Sequence, residues 1–211
     1  MSIKRKLVTA ATALTVIAGV GAAGTLTANA ATLKCGATCT DFFSHASGTA
    51  FVLNAPNRVG QPVTLARASR ASKHEDFTVD ALGTVHDFYW AGLLSGGLNA
   101  LYGGLFAYEI EYTPGASPSD LCLGTAGQPG AGTPVTLEPC GVQIKTVWII
   151  APQQTGYVLI SAATPNSFRH PYVLTAVRPG APLATVQLVA TTAAAFAHQL
   201  WGAERGVLPN S

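Results

Sequence analysis

The chain has 211 residues, of which only 10% are charged against a usual ~25%, while 48% are hydrophobic and 22 Gly and 13 Pro punctuate it. That composition excludes a coiled coil, a charge-driven disordered chain and an acidic or basic tail protein. The formal charge of +2 rests on Lys4, Arg5 and Lys6 in a leader; without them, nine Lys and Arg face ten Asp and Glu, which gives no electrostatic footprint for nucleic acid.

The leader is the first element. Met1 to Lys6 is basic, Leu7 to Val20 is apolar and uncharged, and Ala28-Asn29-Ala30 puts small residues where a signal peptidase cuts. Cleavage after Ala30 is expected, so that 1–30 is a signal peptide. The rival is a retained anchor, against which the many Thr, Gly and Ala of the segment argue. Later apolar runs are broken by Gly, Pro, Asp or Glu. The mature chain is therefore expected outside the cytoplasm as a single domain, 31–211, without a membrane span, and as a monomer. Cys35, Cys39, Cys122 and Cys140 all follow the cleavage point, and an even number in an oxidising compartment points to disulfides. A four-thiolate zinc site is the alternative, but Cys-x3-Cys with a second pair 18 residues apart fits no ribbon or finger well.

Beyond Asp41 the chain reads as short strands. Runs such as Phe51-Val52-Leu53 and Val147-Trp148-Ile149 alternate between turn residues. One pattern recurs three times: an apolar-Leu pair, then Val-x-Leu, then an aromatic residue. The first copy is Val52-Leu53, Val63-Thr64-Leu65 and Phe77; the second Cys122-Leu123, Val135-Thr136-Leu137 and Trp148; the third Val173-Leu174, Val186-Gln187-Leu188 and Trp201. Successive intervals are 10 and 14, 12 and 13, and 12 and 15 residues. The repeats are placed at about 41–85, 107–156 and 157–206. The distance from Phe77 to Leu123 is 46 residues whereas that from Trp148 to Leu174 is 26, which puts an insertion at about 86–106. That insertion, with Tyr89, Trp90, Leu93, Leu101, Tyr102 and Phe106, is too apolar to hang free in water. About 10 to 12 short strands in three copies favour an all-β closed barrel with threefold pseudo-symmetry, because one copy cannot bury its own apolar residues.

These residues resemble the ricin-type β-trefoil lectins, whose repeats close on Gln-x-Trp. Gln199-Leu200-Trp201 matches that motif, and Glu75-Asp76-Phe77 and Thr146-Val147-Trp148 are degenerate forms of it. The resemblance covers roughly Asp41 to Gly206. It implies three four-stranded repeats, a core containing Phe77, Trp148 and Trp201 with Gln199 satisfying nearby backbone, and a strand pair bridged by Cys122–Cys140, leaving Cys35 with Cys39. Sugar binding in such proteins uses a carboxylate after the apolar-Leu pair. Here Asn54, Gly124 and Thr175 stand in those places, and Ala66, Glu138 and Val189 stand where an aromatic platform would follow Val-x-Leu. Asn54 still offers a donor and an acceptor, though uncharged hydrogen bonds are about half as strong.

The candidate glycan contacts are therefore Asn54 and the insertion's Tyr89, Trp90 and Tyr102, weighed against packing of those rings on the barrel wall. Glu109 and Glu111 in Tyr108-Glu109-Ile110-Glu111-Tyr112 point to one face of a strand, where two carboxylates would be side by side; a solvated face is the plainer reading, since a glycosidase needs carboxyls from flanking segments. Asp41, Ser44 and His45 lack a nucleophile elbow, His74-Glu75 lacks the second zincin His, and no phosphate-cradling Gly motif occurs. The expectation is a non-enzymatic glycan-binding module needing no cofactor and no metal. Two alternatives remain: a protein-binding trefoil such as an extracellular protease inhibitor, with Arg67–His74 as its loop, or a trefoil that has lost sugar binding.

Overall fold

The computed structural model describes residues 39–69, 71–141, 144–165 and 170–204. The leader with its cleavage point, Cys35 and Arg70 lie outside them, and with Cys35 so does the Cys35–Cys39 pairing. Cys39 itself is buried and disulfide-bonded.

The described residues form twelve strands and two α-helices. The strands are β1 (Asp41–Ser44), β2 (Phe51–Asn54), β3 (Thr64–Arg67), β4 (Phe77–Thr84), β5 (Phe106–Tyr112), β6 (Leu121–Thr125), β7 (Thr133–Pro139), β8 (Val147–Gln153), β9 (Gly156–Ser161), β10 (Tyr172–Thr175), β11 (Ala184–Gln187) and β12 (Trp201–Glu204). The helices α1 (Val85–Trp90) and α2 (Gly96–Tyr102) lie between β4 and β5.

Six strands close a barrel by antiparallel pairing: β4 with β5, β5 with β8, β8 with β9, β9 with β12 and β12 with β1. The last seam, between β1 and β4, is a bridge from Thr40 to Phe77. Closure removes the unpaired edges that an open sheet would expose. The other six strands form the hairpins β2–β3, β6–β7 and β10–β11.

These hairpins are tied into a ring. The Val63 N–H donates to the Val135 carbonyl at 2.9 Å, Val135 N–H to the Leu183 carbonyl at 2.9 Å, and Leu183 N–H back to the Val63 carbonyl at 2.8 Å. A second ring repeats this with Gly60 N–H to Leu137 (2.8 Å), Gly132 N–H to Thr185 (2.9 Å) and Gly180 N–H to Leu65 (2.8 Å). The three glycines have φ of 72°, 82° and 79°, a left-handed turn that a side chain would strain by about 1–2 kcal/mol.

The rings correct the sequence alignment in one place. Leu53 pairs with Leu65 and Leu123 with Leu137, but Leu174 pairs with Thr185. The third equivalent of Val63 and Val135 is thus Leu183, three residues before Val186. Leu183 is buried in the axial core, while Val186 and Leu188 are half-buried. Residue type favours Val186-Gln187-Leu188, because the true segment ends on Thr185; the position of the Gly180 turn decides.

The axial core joins Leu53, Leu123 and Leu174 with Phe77, Trp148 and Trp201, all fully buried. Both indoles donate to the same kind of acceptor: Trp148 Nε1 to the Leu123 carbonyl at 2.8 Å and Trp201 Nε1 to the Leu174 carbonyl at 2.9 Å. Phe77 has no N–H and instead packs edge-on to Phe42 and beside Tyr112. Cys122 and Cys140 are bonded, with Cα atoms 5.0 Å apart. Closing 18 residues this way stabilises by about 3 kcal/mol on the chain-entropy model.

A lateral core lies on the outer wall of the barrel. There Phe88, Leu94 and Leu98 of the helical segment pack with Val147, Ile149 and Ile160 of β8 and β9. Each helix has a side-chain cap: Thr84 and Asp87 form a reciprocal capping box on α1, and Ser95 Oγ accepts from Leu98 N–H on α2. Helices of six and seven residues are marginal alone, so this buried face supplies their stability.

The expected solvated carboxylate face on β5 is not present. Glu109 is buried and accepts from Thr146 Oγ1 at 2.7 Å and Gly141 N–H at 3.2 Å; Glu111 accepts from the Ser119 and Asp120 N–H groups at 3.0 and 3.1 Å. Each carboxylate fixes a loop, because a strand flanked on both sides by β4 and β8 turns its outer face toward neighbouring chain.

Trp201→Phe removes the pyrrole part of the indole, which leaves the Leu174 carbonyl buried without its donor and a small void beside it. A loss of about 1–3 kcal/mol is expected in urea unfolding, with the barrel's far-UV spectrum unchanged.

Candidate functional site

The positions that follow each apolar-Leu pair differ in accessibility. At Gly124 a Cβ would lie 3.0 Å from the Lys145 carbonyl, 3.1 Å from Thr146 Cγ2 and 3.3 Å from Glu138 Cγ, so the place is filled. Over it, Glu138 accepts from Thr136 Oγ1 at 2.8 Å and from Lys145 Nζ at 3.2 Å. At the third copy, Thr175 Oγ1 donates to the Val173 carbonyl at 3.1 Å. Gln199 closes over it, accepting from Val189 N–H at 2.9 Å and donating to the Gln187 carbonyl at 2.8 Å. Both places are consumed by internal bonds. Asn54 alone is half-buried with no side-chain hydrogen bond among the described residues.

Asn54 stands on β2 between Leu53 and Ala55 of the axial core, whereas the insertion packs on the lateral core. The structure does not bring Asn54 together with Tyr89, Trp90 or Tyr102. Tyr102 is half-buried against the lateral core, where burial pushes its hydroxyl pKa up. Tyr89 and Trp90 are different: they are 36% and 72% exposed, with ring centroids 5.8 Å apart and planes tilted by 60°.

Trp90 is exposed yet pinned. Its Nε1–H donates to His86 Nε2 at 2.7 Å, one turn back on α1, and His86 Nδ1 meets Asn99 Oδ1 of α2 at 3.0 Å. An indole nitrogen only donates, so His86 Nε2 must be the acceptor and Nδ1 must carry the proton that goes to Asn99. The imidazole, edge-on to the indole at 88°, thereby clamps α1 to α2 and sets the angle at which the Trp90 face meets solvent. Leu93, Leu101 and Phe106 of the same segment are also about half exposed, at 48%, 56% and 49%.

Between Lys73 and Lys145 the sequence has no Lys or Arg. Asp87 is engaged at α1, where the Thr84 hydroxyl and backbone N–H hold its pKa below the ordinary carboxylate range. Among the described residues no cluster of His, Cys, Asp or Glu could hold a metal ion, and no helix is long and apolar enough to cross a membrane.

Comparison with known proteins bears on the fold. No family model matches the sequence, and no curated protein does. Among solved structures, the designed threefold-symmetric protein ThreeFoil is similar with a TM-score of 0.53 at 13% identity, over 78% of this chain and 96% of that one.

The chain is a β-trefoil.

This β-trefoil is also similar to a mosquitocidal holotoxin (TM-score 0.53, 12% identity, 80% of this chain and 17% of that one). A third similar structure is a Polyporus squamosus lectin bound to a human-type influenza-binding epitope (0.52, 11%, 80% and 49%). The trefoil spans about half the length of that lectin and a small part of the holotoxin.

Sequence reasoning named Tyr89 and Trp90 but missed His86 and Asn99, which orient the indole. The His86–Trp90 spacing of four residues on a helix was the available signal; it became readable only once the Thr84-x-x-Asp87 capping box marked where α1 begins.

A depressed carboxyl pKa contributes stability that is present above the unfolded-state value and lost as pH falls through the folded one. The Asp87 cap should therefore loosen α1 on acidification below about pH 4. The Cα chemical shifts of Val85–Trp90 should move toward coil values in that step, and Thr84→Ala should remove it.

Proposed function

We propose that this β-trefoil is an extracellular, non-catalytic module of the ricin-like kind that binds a neutral glycan surface through the Tyr89–Trp90 face. The observation that carries the reading is the pinned, outward-facing Trp90. An aromatic ring 72% exposed on a short helix, with its only polar atom satisfied by His86, offers a rigid face with little ordering cost on binding. With the indole N–H already used, that face recognises C–H surfaces rather than acceptors. Pyranose rings present such surfaces.

Charge narrows the ligand class. The absence of Lys and Arg from Lys73 to Lys145 argues against acidic polysaccharides and anionic membranes, since both are captured by cations. Disulfide-bonded Cys39, Cys122 and Cys140 fit an oxidising compartment, as the leader in the sequence does. The filled places at Gly124 and Thr175 move any binding away from the positions the resemblance implies, and Asn54 is the remaining one of those three.

Pull-down on insoluble cellulose, chitin and β-1,3-glucan tests this. The wild-type chain should be retained on at least one, and Trp90→Ala should cut retention at least about tenfold with an unchanged melting temperature. Retention on none, or equal retention of Trp90→Ala, rejects the proposal; inhibition of a secreted protease by the same chain would favour the protein-binding alternative.

A further inference from the structure

A second region has the chemistry of a saccharide site and uses no residue of the insertion. At one end of the barrel, the turn between β8 and β9 and the strands β1 and β12 enclose a cleft of about 450 Å³. This is within the ~300–1,000 Å³ range of small-molecule sites. Its lining includes Phe43 and Tyr157 together with Gln153, Gln154 and Thr155. Tyr157 is 39% exposed.

Two glycines build this cleft. Gly202 lies across from Phe43 in the β1–β12 register, and a Cβ there would run into the Phe43 ring, so the ring lies flat on the strand backbone. At Gly156 a Cβ would run into the Trp201 carbonyl and His45 Nε2, so the β8–β9 turn sits flush against β12. The result places one aromatic ring on β1 and another on β9 beside a row of uncharged polar side chains.

We infer that this cleft binds a neutral pyranoside, with the sugar's C–H face on Tyr157 and Phe43 and its hydroxyls on the Gln153 and Gln154 amides and the Thr155 hydroxyl. An amide offers both donor and acceptor, the pairing that adjacent hydroxyls require. No lining residue carries a charge, so nothing in the cleft selects a carboxylated, sulfated or phosphorylated ligand. The site is separate from the Tyr89–Trp90 face and stands whether or not that face binds.

The test is chemical-shift mapping of the folded chain with cellotriose and, separately, triacetylchitotriose at millimolar concentration. Shifts should appear at Phe43, Gln153–Tyr157 and Gly202 with at least one of them and persist in Trp90→Ala. Tyr157→Ala and Gln154→Ala, both at exposed positions, should each weaken binding about tenfold or more. Shifts with neither sugar, shifts confined to the helical insertion, or affinity unchanged in both variants would overturn the inference. Loss of polysaccharide retention in Trp90→Ala with cleft shifts intact separates the two sites.

Discussion

The structure depends on three backbone hydrogen bonds that run in a circle. Val63, Val135 and Leu183 each donate to the next and the last donates to the first, so none of the three hairpins is satisfied until all are in place. A buried backbone donor without a partner costs about 1–3 kcal/mol, and the ring makes that cost collective. The apolar core beneath obeys the same logic: Leu53, Leu123 and Leu174 bury each other, and no single copy can do so. Cooperativity here comes from symmetry of demand rather than from any one strong contact.

Much of this was legible in the sequence because it is repetitive. The apolar-Leu pairs and the closing aromatics fall where the alignment placed them, and alternation of period two is enough to find them. The frame of the third copy was not legible, since the true segment, Leu183-Ala184-Thr185, ends on Thr and Val186-Gln187-Leu188 fits Val-x-Leu better. The discriminating string was present: Gly60-Gln61-Pro62-Val63, Gly132-Thr133-Pro134-Val135 and Gly180-Ala181-Pro182-Leu183 share Gly-x-Pro-aliphatic. Its meaning is physical, a left-handed turn residue followed by a residue that donates to the ring, but a Val-to-Leu change at its last position hid it behind a closer match. The short helices escaped for a different reason. Six or seven residues give too little 3.6-residue periodicity to register, so only their caps announce them.

The candidate site was half legible. Tyr89 and Trp90 stood out as aromatics in a segment beyond what the barrel needs, whereas Tyr102, equally aromatic, turned out to serve the lateral core. Sequence order could not separate them, because helix rotation decides which side chains face out. Nor could it show that Glu109 and Glu111 serve as loop anchors, since that role depends on Gly141, Thr146, Ser119 and Asp120 arriving from elsewhere in the chain. Two of the places after the apolar-Leu pairs are likewise taken up internally: Glu138 and Lys145 close over Gly124 and Gln199 over Thr175.

The barrel is not equally strong around its circumference. Four of its seams are ladders of three or more paired positions, whereas β9 meets β12 at Tyr157 and Trp201 alone and β1 meets β4 where Thr40 and Phe77 exchange a pair of backbone bonds. Cys39, covalently bridged, is the residue next to Thr40. The first and last strands of the barrel, β1 and β12, thus form a four-residue ladder with a narrow joint on either side, and together they are the stave that would part from the wall first.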